Sequence, residues 1–580
     1  MGKYEEMYKL SIEDPEAFWM PIADKIFWYQ KPEKVLDDSN APFYKWFVGG
    51  VTNTCYNAVD RWVENGKKDQ AAYIWVSSEL DQEKTITYGE LLTEVVKFAS
   101  VLKNSGVQKG DRVAYLGYNC HRLLELFYAP VVNGAILEPL NIRLAAKDFE
   151  YIINESTPRL LFLDKDFIPV IQSIREKIPA VERFIVLEKD SGLPGWITGS
   201  YEEMLEGASD RPAYPPGSYP FEENDTAEIF YTSGTTGNPK GVMLRHRNLY
   251  LHALCAMSLM TVRETDVQSH LIPLFHVNGW GTPHYLLAKG GKHVMVKRFD
   301  PVKTLALIQK EKITRTFVIP TMINAMLAVP NFKSFNLSSM KEILIGGAPP
   351  PRGMPARVEE AFGCIAHGGF GMTETCPLIV LPELSEDLDP EEYRHRRHDT
   401  WGRPLPGVEF RLVDADGKDL PWDGKSVGEL LVRGDMVMKG YYNHPEETAR
   451  TLEGGWYHSG DLCAMEPDGQ LIVKDRKKDI IISGGENISS LEIEQVLYGH
   501  PAVLECAVIG KSDERWGEIP LAFIVLREGF KVTPEEFIQY ARDSMAHFKA
   551  PREVRLIPEL PKGGTGKILK SVLRQKYRGA

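Results

Sequence analysis

The sequence predicts an α/β protein with a large N-terminal domain of layered α/β sheets, a β-barrel-like subdomain, and a small α+β domain at the C-terminus. Three observations carry that expectation. Short apolar runs alternate with amphipathic helical text from Ile86 to about Glu383, the pattern of parallel sheets covered by helices. Beyond Trp401 the text becomes β-rich, with turn signals at antiparallel spacing. A final segment from Asp479 reads strand, helix, strand, strand, helix, strand, a complete small domain by itself. At 580 residues the chain also exceeds what one core usually supports.

Taken in order, residues 1 to about 70 are rich in aromatic and acidic groups. FWMPIADKIFWYQKP and APFYKWFVGGVTNTCYNAVDRW read as a helical segment wrapped onto a larger body, its aromatics serving as packing groups. ITYGELLTEVVKFASVLKNSGV is an amphipathic helix, and DRVAYLG, RLLFLD and ERFIVLE are short strands. HLIPLF, HVMVKRF, RTFVIP and EILIGG continue the strands, separated by helical text such as PVKTLALIQKEK. VEFRLVDADG, GELLVRG and QLIVKD, with turns at DADG and EPDG, form the β-rich unit. DIIIS, SLEIEQVLYGH, VLECAVIG, LAFIVL, PEEFIQYARDSMA and EVRLIPEL build the last domain. The charged run DRKKD, by composition a solvated linker, divides residues 1–473 from 479–580, with 474–478 as the connection.

With 43% hydrophobic and 26% charged residues the chain reads as globular. A net charge of -12 argues against nucleic acid as the main partner, since binding a phosphate backbone needs clustered Lys and Arg. The 7 cysteines are scattered without a C-x-x-C pair, which disfavours a disulfide framework and a zinc site. The acidic, polar N-terminus lacks the apolar core of a signal peptide, and no apolar run is long enough to span a bilayer. A cytoplasmic location is therefore expected.

The stretch YTSGTTGNPKG follows the apolar run AEIF. Hydroxyls of Thr232, Ser233, Thr235 and Thr236, backbone N–H groups bared by Gly234 and Gly237, and the Lys240 ammonium suit an anionic phosphate chain. The glycine spacing is not that of a Walker loop, and by composition alone a plain surface loop fits equally well. PLFHVNGWG delivers His276 at a strand end beside Val277, Asn278 and Trp280; such a histidine is ordinarily a packed or hydrogen-bonded group. IGGAPPP ends a strand in Gly347, Ala348 and Pro349, where a flat ligand can approach the backbone. In GGFGMTETC, Thr373 offers a hydroxyl to phosphate and Glu374 a hard carboxylate oxygen suited to Mg²⁺. Asp461 in WYHSGD, Gly484 and Gly485 in IIISGGEN, and Lys567 in LPKGGTGKILK read by composition as a turn former, a strand end and a solvated lysine.

Together and in this order these strings resemble the adenylate-forming superfamily, which includes acyl-CoA synthetases, firefly luciferase and the adenylation domains of peptide synthetases. The resemblance runs from about Thr87 to the end. The N-terminal lead is similar, more weakly, to that of acetyl-CoA and propionyl-CoA synthetases. The resemblance implies an AMP-forming ligase that uses ATP, Mg²⁺ and coenzyme A on a carboxylic acid. It implies that Thr232, Ser233, Gly234, Thr235, Thr236, Gly237 and Lys240 hold the β- and γ-phosphates. Gly347, Ala348, Pro349, Gly369, Phe370, Gly371, Met372 and Thr373 surround the nucleotide, Phe370 standing where relatives carry an adenine-stacking tyrosine. Glu374 binds Mg²⁺, while Asp461 holds the ribose with Arg476 as companion. His276, Val277, Asn278, Trp280 and Gly371 line the acyl pocket, His276 beside the reacting carboxylate. Lys567 bridges that carboxylate and the α-phosphate. Lys478 is the hinge about which the C-terminal domain turns, and Ser483, Gly484, Gly485 and Glu486 form a loop beside the CoA tunnel.

Gly371 stands where acetyl-CoA synthetases close the acyl pocket with tryptophan, so a longer or wider acid is expected. A short- or medium-chain aliphatic acid is the first choice. An aromatic or alicyclic acid flanked by Trp280 and Phe370 is the alternative. A luciferase-like oxygenase or a non-catalytic adenylate-binding protein would share the nucleotide motifs.

Overall fold

The computed structural model of the chain describes residues 3–39, 44–77, 82–232, 238–260, 262–347, 350–351, 353–382, 389–563 and 568–577. The lead begins with helices Lys3–Glu13 and Pro15–Ala23, the second capped by Asp14. It then departs from the helical expectation, because Lys34–Asp37 and Lys45–Val48 pair as an antiparallel hairpin. The aromatic run KWFV suits a half-buried pleat better than a helix turn. Trp46 meets Trp19 edge-on at 5.7 Å. Tyr8 donates its hydroxyl to Val408 O at 2.7 Å, tying the lead to the β-rich unit.

Helix Tyr88–Asn104 lies within the expected segment but starts two residues later, after strand Gln82–Thr87, in a capping box between Thr87 and Glu90, and buries Leu91, Val95, Phe98 and Leu102 at helical spacing. Two layered sheets follow. The first has eight strands; Ile136–Pro139, Arg112–Leu116 and Leu160–Leu163 run parallel within it, and the hairpin Thr226–Thr232/Lys240–Arg245 joins beside Ile136–Pro139. The second has seven, with Ile365–Gly368, Glu342–Ile345, Arg315–Val318, Val267–His270, Lys292–Val296 and Ala71–Ser77 all parallel.

One expected strand is displaced. HLIPLF contributes His270 alone, as the end of Val267–His270. Pro273 has no ladder donor, and the Leu274 N–H turns to Asn119 Oδ1 at 2.8 Å. The chain therefore leaves the sheet at Leu271 and delivers PLFHVNGWG as a loop.

The β-rich text folds as two antiparallel sheets. Phe370–Gly371, Leu378–Leu381 and Arg403–Pro404 form one, and Glu409–Val413, Gly428–Arg433, Tyr457–Met465 and Leu471–Arg476 the other. Beyond it, Ile481–Ser483, Val503–Asp513, Gly517–Leu526 and Glu553–Leu556 occupy the expected strands, with helices Ser490–Tyr498 and Pro534–Ser544. Strand Glu486–Ile488 and helix Lys570–Tyr577 complete this unit and were not expected. Its core is built from Ile481, Ile493, Leu497, Val508, Ile524 and Phe537. No helix among the described residues is long and apolar enough to cross a membrane.

Candidate active site

The hairpin Thr226–Thr232/Lys240–Arg245 sets Thr232 opposite Lys240. Ser233, Gly234, Thr235, Thr236 and Gly237, between them, lie outside the described residues. The Lys240 ammonium pairs with Glu447 Oε1 at 2.5 Å and sits 5.3 Å from the centroid of the Tyr441 ring. A cleft of about 410 Å³ opens there, lined by Asn443, His444, Glu447 and Arg450 among others. On the other side of Tyr441, its hydroxyl donates to Glu374 Oε1 at 3.1 Å. Glu374 is thus linked through one tyrosine to the lysine of the glycine-rich loop.

Burial pushes the Glu374 carboxyl above its ordinary pKa, with Asp461 adding to the effect, although its backbone contact, the Tyr441 hydroxyl and Arg476 favour the anion. A desolvated carboxylate linked through Tyr441 to Lys240 fits a divalent cation, which would supply the missing positive charge. Thr373 opens the short turn Thr373–Thr375 that carries Glu374, and is buried.

Asp461 and Arg476 face each other across the antiparallel pair Tyr457–Met465/Leu471–Arg476. Arg476 Nε lies 2.6 Å from Asp461 Oδ1. Burial opposes the Arg476 cation, yet Asp461, Tyr457 and Glu374 outweigh it and hold the guanidinium above its ordinary value.

His276 precedes a compact left-handed turn, with φ of 38° at Val277, 46° at Asn278 and 66° at Trp280. Such backbone is costly for residues with side chains and persists where the surroundings hold it. Here Asn278 donates to Glu228 Oε2 at 2.9 Å, and His284 Nε2 lies 3.3 Å from Glu228 Oε1. The Trp280 ring packs on Phe317, centroids 5.6 Å apart.

A Cβ placed on Gly346 would come within 2.8 Å of Trp280, and one on Gly347, where φ is 74°, within 3.0 Å of Ile319. At Gly346 the flat group that demands a glycine is therefore the chain's own indole. Ala348 and Pro349 lie outside the described residues.

Phe370 is buried and meets Trp401 edge-on at 6.3 Å; Gly369 precedes it among Leu344, Leu378 and Leu381. Gly371 requires a correction to the pocket argument. A Cβ there would stand 1.9 Å from Pro377 O, with Met372 N–H bonded to the same carbonyl at 2.8 Å. The glycine is imposed by backbone approach, and this backbone has no room for any side chain. Its presence does not by itself measure pocket width.

Lys478 lies in the short turn Lys477–Asp479 between the last strand of the β-rich sheet and the C-terminal unit. Gly484 and Gly485, read by composition as a strand end, are the two central residues of the tight turn closing Ser483 on Glu486, with φ of 61° and 88°. Positive φ at both positions is what a two-residue hairpin needs. The Gly484 N–H is fixed to Trp516 O at 2.8 Å. Lys567 lies outside the described residues. The bridge Lys562–Ile568 brackets its loop, and Arg143 of the N-terminal domain donates to Gly563 O at 3.2 Å.

Tyr441, Glu447, Glu228 and Arg143 were not anticipated from sequence. Each meets its site partner across a long stretch of chain, and no local pattern marks them.

The chain matches the family model "AMP-binding enzyme" over residues 59–442, "Acetyl-coenzyme A synthetase N-terminus" over 4–58 and "AMP-binding enzyme C-terminal domain" over 492–567. It is 34% identical to 3-methylmercaptopropionyl-CoA ligase of Ruegeria lacuscaerulensis over 87% of this chain and 94% of that one. It is 33% identical to medium-chain-fatty-acid–CoA ligase of Ectopseudomonas oleovorans over 89% of this chain and 95% of that one. Among solved structures, anthranilate CoA ligase AuaEII in complex with anthranoyl-AMP superposes with a TM-score of 0.81 at 26% identity, covering 93% of this chain and 99% of that one. Fold and site define an adenylate-forming enzyme. The chain belongs to the AMP-binding enzyme family.

Proposed function

We propose that the carboxylic acid activated by this AMP-forming CoA ligase is a short- or medium-chain aliphatic acid. The chain uses ATP, Mg²⁺ and coenzyme A and proceeds through an acyl-adenylate. The observation that carries the assignment of roles is the run of contacts from Lys240 through Tyr441 to Glu374, with the pair Asp461–Arg476 acting on the Glu374 carboxyl.

In this reading Thr232, Lys240 and the loop between them hold the leaving pyrophosphate, and Asp461 accepts hydrogen bonds from the ribose hydroxyls. Arg476 pairs with Asp461 and keeps it correctly turned. Glu374 holds Mg²⁺, which when bound supplies positive charge to the phosphates. His276 and the turn after it orient the acid, and Lys567 stands between carboxylate and α-phosphate. The thiol of CoA then attacks the mixed anhydride and AMP leaves. A cytoplasmic location agrees with seven free thiols, Cys55, Cys120, Cys255, Cys364, Cys376, Cys463 and Cys506.

The aliphatic preference rests on the burial of Val277 and Trp280 after His276 and of Phe317 against Trp280, and on the two relatives named above. An aromatic acid is the second reading, favoured by the likeness to the anthranilate enzyme. A panel of acids assayed by pyrophosphate release decides between them. Butyrate to decanoate should turn over fastest, and benzoate or anthranilate turning over faster would overturn the aliphatic assignment.

A further inference from the structure

Two sets of contacts flank Lys478, and they differ in which parts of the chain they join. On its C-terminal side, Asp479 pairs with Arg574, both within the C-terminal unit. On its N-terminal side, Asp475 belongs to strand Leu471–Arg476 of the β-rich sheet and reaches across to the other unit. Asp475 Oδ2 accepts from Ser490 N at 2.6 Å, Ser490 Oγ at 2.9 Å and Leu491 N at 3.3 Å. These are the first residues of helix Ser490–Tyr498. Next to it, Ser489 Oγ donates to Lys474 O at 2.8 Å. Lys570 Nζ donates to Ser490 Oγ at 2.8 Å and pairs with Glu494 at 2.6 Å, so the serine is itself held in place. Asp475 is 5% exposed. A buried carboxylate receiving two helix N-terminal amides and a hydroxyl makes charge-assisted bonds, favoured further by the helix dipole.

We propose that Asp475 is a latch between the two units: it holds the C-terminal unit in the arrangement that serves adenylate formation, and it must let go of helix Ser490–Tyr498 before the thioester step. This rests on the ligase reading above. The bonds it makes join residues on opposite sides of Lys478, so a rotation there that leaves the β-rich sheet in place carries the helix away from Asp475. A second contact identifies which half-reaction the latched arrangement serves. Arg143 bonds Gly563 O, four residues before Lys567 in the sequence, so the same pose ties that end of the C-terminal unit to the N-terminal domain. The other Asp475 oxygen, Oδ1, accepts from the Arg476 N–H at 2.7 Å, which makes Asp475 a positioning residue; Ser490→Ala, which leaves that bond in place, separates the latch from an effect through Arg476.

The test uses the full chain and measures the half-reactions separately. Adenylation is followed by pyrophosphate exchange with butyrate, and thioester formation from supplied butyryl-AMP and CoA. Asp475→Asn should slow adenylation by about tenfold or more, the factor expected for losing a charge-assisted hydrogen bond, and leave the thioester step at or above its wild-type rate. Ser490→Ala should move both in the same direction by less, and decides the matter if Asp475→Asn fails to fold. Equal loss in both steps, loss confined to the thioester step, or no change in either would overturn the latch. A readout without turnover is tryptic cleavage at Lys477 and Lys478, which should accelerate several-fold in Asp475→Asn. If the wild type catalyses no exchange with any acid in the panel, the functional reading fails and cleavage alone judges the latch, an unchanged rate overturning it.

Discussion

Asp461 and Arg476 occupy directly opposed positions on neighbouring antiparallel strands, and their side chains meet at 2.6 Å. Asp461 is 2% exposed, so Arg476 supplies the countercharge that makes a buried carboxylate tolerable. Arg476→Ala should therefore cost stability as well as activity, about 2 to 4 kcal/mol for a carboxylate left uncompensated, read as a fall in Tm. Asp461→Asn removes the charge that needs compensating and should cost less stability. It should nonetheless lower kcat/KM for ATP by about ten- to a hundredfold, the size of one or two charged hydrogen bonds to ribose. An Asp461→Asn enzyme with unchanged kcat/KM for ATP would exclude the ribose role.

Glu374 gives a prediction with an unusual sign. Its carboxyl is raised in the folded protein, chiefly by burial. Without metal the folded state therefore binds a proton more tightly than the unfolded chain. The resulting penalty is absent below the unfolded value, near 4.3, and grows as pH rises through the raised one. At neutral pH Glu374→Gln should raise the Tm of the metal-free protein while eliminating the further rise that Mg²⁺ with ATP produces. In the wild type, Mg²⁺ affinity should weaken as pH falls through the same range. Tyr441→Phe, which removes a bond favouring the anion, should shift that weakening to higher pH. Thermal melts against pH, with and without Mg²⁺ and ATP, check all three.

Gly371→Ala tests whether close backbone approach, not pocket width, demands this glycine. With Pro377 O only 1.9 Å from the new carbon, the strand pair Phe370–Gly371/Leu378–Leu381 must separate. A loss of about 1 to 3 kcal/mol is expected, together with slower turnover on every acid, because Thr373 and Glu374 follow directly. A variant of normal stability whose acid profile merely shifted to shorter chains would restore Gly371 as the pocket gauge.

These residues also show where the sequence was informative. Lys240 and Glu374 sit in strings whose composition suits phosphate and a cation, whereas Asp461 and Arg476 read by composition as a turn former and part of a linker and were marked only by the family resemblance. The helix and strand rhythm was readable because each sheet layer is buried on one face or both. Tyr441 and Glu447 were invisible because they meet Glu374 and Lys240 across 67 and 207 residues, separations that leave no periodic trace. The string IGGAPPP, to which Gly346 belongs, and Gly371 read as room for ligand or acid. A glycine records only that something comes close, and here it is Trp280 in one case and a backbone carbonyl in the other. HLIPLF read as a strand because an apolar run hides its proline from periodicity.

The two lysines of the C-terminal half separate chemistry from motion. A carboxylate approaching the α-phosphate meets repulsion on the order of 4 kcal/mol for unit charges about 4 Å apart at an effective dielectric near 20, roughly a thousandfold in rate. Lys567→Ala should slow adenylate formation by about that factor, while supplied acyl-adenylate is still converted to thioester, since that step starts from a neutral carbonyl. Lys478→Pro should do the opposite. Lys478 sits in the turn Lys477–Asp479, and if it is the hinge, a ring that fixes φ there blocks the rotation proposed for the second step. Adenylation should then stay within about threefold of wild type, a change of less than 1 kcal/mol, with thioester formation falling by far more. Rapid-quench measurements of each half-reaction distinguish the two variants. Parallel losses in both steps would remove Lys567 as the bridging cation, and an unimpaired second step in Lys478→Pro would remove Lys478 as the hinge.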